Sequence, residues 1–285
     1  MEITASMVKE LREKTNAGMM DCKKALKETD GDMAKAIDFL REKGLSQAAK
    51  KSGRIAAEGL TTATISQCGK KGVVLEVNSE TDFVAKNEEF QKFVADTAQI
   101  ILDTNPSDVE ALKATQYPGE GKNVQEVLTE KIAKIGENMS IRRFKFVEAA
   151  NGAVVSYIHG GGKISVLVSL ESEGDKAALE DLGKDLAMQV AAMNPKYISR
   201  EDVDQDYIAH EREILIHQAL NEGKPQNIVE KMVEGRLNKE LKEVCLLEQA
   251  FVKDGDISVS KYISNIAAKI GKEIKIADVQ RFEVG

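Results

Sequence analysis

Two stretches decide how this chain folds: "EKIAKIGENMSIRRFKFVE", Glu130 to Glu148, and "SNIAAKIGKEIKIADVQRFEV", Ser264 to Val284. They share "AKIG", at Ala133–Gly136 and Ala268–Gly271, an offset of 135 residues. In both copies the glycine reads as a helix C-cap. Upstream, Val73–Val77 matches Ile164–Val168 at an offset of 91. Each of these runs belongs to a hairpin signal. "LTTATISQ" and "GVVLEVN" flank the turn residues "CGKKG", and "GAVVSYIH" and "KISVLVSL" flank three glycines from Gly160. An amphipathic helix pattern follows each hairpin, "EEFQKFVADTAQII" in one case and "DKAALEDLGKDLAMQVAA" in the other. The repeated unit is therefore hairpin, helix, second helix, third strand. This predicts an α+β chain with a duplicated core of antiparallel three-stranded sheets.

The two offsets differ by 44 residues, which locates an insertion in the second copy between about Pro195 and Leu247. It reads as helical. "SREDVDQDYIAHEREILIHQALNEG" starts at Ser199 as an N-cap with acids in its first turn, "GKP" breaks it, and "NIVEKMVEGRLNKELKEV" returns. Val203, Tyr207, His210, Ile214 and His217 have a 4-3-4-3 spacing, so the expectation is an antiparallel coiled-coil hairpin with that seam. Its stripe needs a partner, either the core or a second subunit. At the other end, "SMVKELREKT" runs to "NAG", and "MDCKKALKE" and "GDMAKAIDFLREKG" follow, with Asp32 as N-cap and Gly44 as C-cap. These predict a small three-helix bundle, joined by the polar helical connector "SQAAKKSGRIAAEG" to the core.

Composition excludes several classes. There are 47 acids against 40 bases, a net charge of −7, which argues against a protein that coats nucleic acid. The basic clusters at Ala48–Arg54 and Ile141–Lys145 are short and read as solvated helix ends. Cys22, Cys68 and Cys245 are far apart and odd in number, which fits a reduced, cytoplasmic chain without a disulfide frame or zinc cluster. The N-terminus has no apolar signal region, and no apolar run approaches the ~20 residues of a membrane span.

Catalytic motifs are lacking too. "GEGKN" at Gly119–Asn123 has neither the spacing nor the hydroxyl of a phosphate-binding loop. His159 and the glycines after it read as a β-turn rather than an oxyanion loop, because no nucleophile elbow accompanies them. His210 and His217 share a helix face, and seam packing is favoured over a metal site there. Met19-Met20 are core fillers by type, yet paired Met in the turn just before a helix also suits a protein-recognition surface. For "VNSETDFVAKNEEF", Val77 to Phe90, the residues alone favour Thr81 or Asp82 capping a short helix while Phe83 packs on Phe90 or Phe93. The alternative has Phe83 facing outward. With only three histidines and no nucleophile constellation, the chain reads as a binding protein, not an enzyme.

"LREKTNAGMMDCKKAL", Leu11 to Leu26, followed by "AAEG" and "NSETDFVAKNEEF", resembles bacterial elongation factor Ts. "AKIGENMSIRR", "SYIHGGGKISVLV", "AMQVAAMNPKYI", "GKPQNIVEKMVEGRLNKE" and "RFEVG" extend the likeness in order over essentially the whole chain. The resemblance implies guanine nucleotide exchange on elongation factor Tu. The GDP, GTP and Mg²⁺ belong to that partner, and no cofactor, nucleic acid or membrane is implied for this chain. It also implies a ubiquitin-associated-like head (residues 1–55), core subdomains at 56–150 and at 151–194 with 246–285, and the hairpin at 195–245. By the same resemblance Asp82 and Phe83, flanked by Thr81 and Val84, are the pair that intrudes on the partner's magnesium site. Arg12, Met19, Met20 and Lys23 are head contacts, and Ile135, Gly136 and His159 are core contacts. Relatives of the enterobacterial type continue into a further helix after "RFEVG". Here head and core are expected to carry the interface, with the hairpin free to close on the core, on elongation factor Tu, or on a twin copy in a homodimer or 2:2 complex. The rival reading is an interaction adaptor without exchange activity.

Overall fold

The computed structural model describes residues 3–15, 17–223 and 225–285. Asn16 of the expected turn "NAG" and Lys224 of the expected break "GKP" lie outside the described residues. Three helices come first: α1 (Ala5–Thr15), α2 (Met19–Glu28) and α3 (Met33–Lys51). The first copy of the unit follows, with β1 (Glu58–Ile65), β2 (Lys71–Ser79), α4 (Asp82–Ala85), α5 (Glu88–Thr104), α6 (Val109–Ala114), β3 (Gln116–Tyr117), β4 (Lys122–Asn123), α7 (Val124–Ile135) and β5 (Met139–Glu148). The second copy opens with β6 (Gly152–His159), β7 (Ile164–Glu171) and α8 (Lys176–Met193). The insertion supplies α9 (Gln205–Asn221) and α10 (Gln226–Val244), and the copy then closes with β8 (Ala250–Phe251), β9 (Asp254–Ser258), α11 (Val259–Ile270) and β10 (Lys275–Glu283).

Both sheets are antiparallel and have the same topology, β1-β2-β5 and β6-β7-β10. The duplication extends to the caps. Asn123 and Ser258 cap α7 and α11, each accepting from the backbone N–H three residues on. Gly136 (φ 89°) and Gly271 (φ 68°) end these helices in the left-handed conformation that glycine adopts without penalty. Asn105 (φ 43°) and Asn194 (φ 44°) end α5 and α8, and a proline follows each.

The two sheets lie back to back. Along β2, Val73, Leu75 and Val77 join the core beneath α5 and α7, while Val74 faces Val154, Leu167 and Phe282 of the second sheet. Glu76 points the same way as Val74 and is fully buried. Arg143 Nε (2.6 Å), Arg142 Nη1 (3.3 Å) and Asn78 Nδ2 (3.1 Å) hold its carboxylate, the pairing that a buried charge requires. The Ile141–Lys145 cluster is thus mid-strand in β5, not a solvated helix end, and its arginines serve this junction.

Three further expectations are corrected. Gly44 does not cap α3, which runs on to Lys51: a Cβ there would lie 3.8 Å from that of Ala133, so packing against α7 keeps the helix going past its weakest residue. Ser199 caps only one 3₁₀ turn, Arg200–Asp202, and Asp204 is the N-cap of α9. The hairpin seam also differs in part, since Val203 and Tyr207 pack in it as expected. His210 and His217 are exposed, while Ile208, Leu215 and Ala219 face Val229, Val233, Leu237 and Leu241 at a strict spacing of four on α10. That row of α10 sets the rotation of α9 about its axis.

Candidate functional site

The first sheet hands the chain to α4 at Ser79, whose hydroxyl donates to the Thr81 carbonyl (3.0 Å). Thr81 then caps α4, accepting from the Val84 N–H (3.5 Å). The helix is a single turn, so its inward side has room for two residues, Val84 and Ala85, each 5% exposed. Phe90 and Phe93 fill the core behind them. Phe83 therefore points outward, 78% exposed. The expected packing of Phe83 on Phe90 or Phe93 does not form, although the capping half of that reading does. Val84, grouped with the pair at first, is an anchor on the opposite side.

Asp82 accepts from Lys86 Nζ (2.7 Å), and the same ammonium lies 5.8 Å from the centre of the Phe83 ring, within cation–π range. The Lys86 hydrogen bond, helped by Lys163, holds the Asp82 carboxyl below the usual carboxylate range. The acid is therefore an anion throughout the physiological range.

Behind this turn lies the end of α7. Glu137 accepts from the Thr81 N–H (3.0 Å) and hydroxyl (2.8 Å), and Glu80 accepts from the Asn138 N–H (2.5 Å). These bonds bring Gly136, exposed, and Ile135, half-buried, up beside Thr81, Asp82 and Phe83. Asn138 also donates to the Arg54 carbonyl (2.8 Å), which ties in the connector from the head.

His159 ends β6, exposed, with Nδ1 3.0 Å from the Tyr157 hydroxyl. Its turn is docked on β1, where the Gly162 carbonyl accepts from the Thr61 N–H (2.7 Å) and hydroxyl (3.0 Å). Gly162 has φ 96°, and a Cβ on it would meet the Thr61 carbonyl at 3.0 Å, so the close approach favours glycine. Lys163 pairs with Glu58 (2.6 Å), opposite Ser79, which sets the His159 turn beside the strand that leads into the Asp82-Phe83 turn.

On the head, Met19 (58% exposed) and Met20 (75%) begin α2 itself, rather than the turn before it. Neither fills the core; Leu11, Cys22, Ala25 and Leu26 do. Arg12 and Lys23 are exposed on the same two helices. Among the described residues, no hydrogen bond or ion pair joins these four to the 81–86 turn. The mechanical link is α3 along α7, with Gly44 on Ala133, an Arg41–Glu126 ion pair, and Lys51 Nζ donating to the Ile132 carbonyl (3.4 Å).

The site as built is a rigid, projecting aromatic and acid beside a helix C-terminus, with no cluster of three or more candidate metal ligands among the described residues. Among those residues, no helix is long and apolar enough to cross a membrane. The family model described as "Elongation factor TS" matches residues 80–285, beginning at this turn. The chain belongs to the elongation factor Ts family. Members of that family act as nucleotide exchange factors on elongation factor Tu. Elongation factor Ts of Clostridioides difficile (strain 630) is 60% identical over 283 residues, which cover 99% of this chain and 93% of the relative. The Clostridium perfringens (strain SM101 / Type A) protein is 55% identical over the same shares, and that of Syntrophotalea carbinolica is 52% identical over all of this chain and 94% of its own.

Sequence reasoning missed Glu80, Lys86, Glu137 and Asn138. One signal could have found the last pair. At the offset of 135, Glu137-Asn138 corresponds to Lys272-Glu273, a divergence right after the shared "AKIG".

Proposed function

We propose that this chain releases GDP from elongation factor Tu by inserting Phe83 and Asp82 into it. The observation that carries this reading is the Phe83 ring, bare to solvent on a turn whose neighbours are all held. A large exposed aromatic on a fixed backbone costs little entropy to bury at an interface. Phe83 fills an apolar cleft between partner helices. Asp82, an anion, perturbs the hydrogen bonds around the partner's Mg²⁺ water shell. Thr81 and Val84 hold the pair, and Ile135, Gly136 and His159 add contacts around it. Residues 1–55 form the docking head, with Arg12, Met19, Met20 and Lys23 on its contact face.

An exchange factor need not touch the nucleotide. It binds the empty GTPase better than the loaded one, and reciprocity weakens the nucleotide by the same factor. A 10⁴-fold weakening takes about 5.5 kcal/mol of differential binding. One buried aromatic hot spot supplies roughly 2–4 kcal/mol, so head and core contacts must contribute the remainder. The head also raises the effective concentration of the inserting turn.

Stopped-flow release of labelled GDP from elongation factor Tu, with and without this protein, tests the function. Acceleration is expected, and an unchanged rate would leave the adaptor reading in its place. For the head, Met20→Ala should weaken the complex by about 5- to 30-fold in titration, the 1–2 kcal/mol of a well-buried contact. Unchanged affinity would remove Met20 from the interface.

A further inference from the structure

Building on the insertion of Phe83 and Asp82, we propose that Glu137 is the positioning residue that presents them. Residues 80–81 and 137–138 form a reciprocal clasp. The Glu137 carboxylate takes both the N–H (3.0 Å) and the hydroxyl (2.8 Å) of Thr81, and the Glu80 carboxylate takes the N–H of Asn138 (2.5 Å). Bonds to an ionised acceptor are the strong kind. Thr81 is the residue whose backbone and side chain start α4, so fixing it fixes the direction in which Phe83 leaves the surface. Gly136, left-handed at φ 89°, turns the chain out of α7 so that Glu137 can reach across.

Comparison of the two copies separates this role from simple closure of the sheet's end. In the second copy the same junction is stapled by Ser172 Oγ on the Glu273 carbonyl (2.6 Å) and Lys272 on Glu173 (3.1 Å). Side-chain staples therefore suffice to close it. At this junction, among the described residues, only the copy that bears the exposed ring has a carboxylate that captures the helix-starting residue by N–H and hydroxyl together. Thr81 and Glu137 are only half-buried, so water can replace these bonds when the carboxylate is removed, and the fold survives. What is lost is the fraction of molecules with the turn ready to insert, and apparent activity falls by that fraction.

The test uses the full chain with elongation factor Tu and labelled GDP. Glu137→Ala should lower exchange efficiency about tenfold or more while Tm moves by no more than about 4 °C. Glu137→Gln, which keeps an acceptor for the Thr81 N–H, should restore most of the rate. Amide hydrogen exchange at Thr81–Val84 should quicken in Glu137→Ala. On a Phe83→Ala background Glu137→Ala should cost much less than in the wild type, because only Asp82 is then left to position. Wild-type exchange in Glu137→Ala, unchanged amide exchange, or an undiminished loss on the Phe83→Ala background would each overturn the proposal. If Phe83→Ala alone leaves GDP release untouched, the insertion reading falls. The amide-exchange arm then still decides on its own whether Glu137 holds the turn.

Discussion

Phe83→Ala should cut the efficiency of GDP release from elongation factor Tu by roughly 30- to 800-fold, the kinetic equivalent of losing a hot spot of 2–4 kcal/mol. The protein's own stability should stay within about 1 kcal/mol, because a ring 78% exposed has little packing to lose. The cation–π contact with Lys86 does not change this, since at an exposed site it is worth about 0.5–1 kcal/mol at most. Stopped-flow exchange and a thermal melt, read side by side, give the answer. A fall in Tm that tracks the fall in exchange would mean the ring supports its own fold, and insertion would be the wrong account.

Phe90→Ala should do the reverse. Seven residues on, the same side chain is fully buried among Val84, Phe93, Val94 and Leu128. Truncating a core Phe costs about 3–5 kcal/mol, transfer free energy plus the cavity it leaves. Against a total of about 5–15 kcal/mol, that is a fifth or more of the stability of the unit that holds it. Denaturant titration should show the midpoint of the first unfolding transition falling sharply. Exchange measured on the folded fraction at low temperature should change far less than in Phe83→Ala. An unmoved midpoint would show that the first core does not depend on this ring.

The contrast between Phe83 and Phe90 marks where sequence reasoning stopped. Both sit beside apolar residues near a helix start, and "TDFVAKNEEF" by itself allows either ring to be the buried one. The resemblance favoured an outward Phe83; the residue pattern favoured an inward one. Space decides between them. A one-turn helix followed at once by the Asn87 cap can turn only Val84 and Ala85 inward, and the core is already filled from α5. Glu137 was beyond reach for a related reason, since its partner is 56 residues away and no local pattern pairs them.

The hairpin shows the same limit in another form. On α9 the apolar residues are spread widely enough that two seams fit the spacing, and the one through His210 and His217 is used only at its Tyr207 end. The choice belongs to α10, whose row from Val229 to Leu241 admits one facing stripe. Gly44 is a further case. Its local signal is a stop, and contact with α7 overrides it.

By itself the sequence determined the duplicated unit, its antiparallel hairpins, the helical insertion and the helix caps at Asp32, Gly136 and Gly271. Each of these is written in periodicity or in residues a few positions apart. Only the tertiary structure decided that the sheets stack back to back around a buried Glu76, that α3 runs through Gly44, and that Phe83 is left outside. Those outcomes depend on which volume is already occupied when distant segments meet, and competition for a shared core has no local trace in the chain.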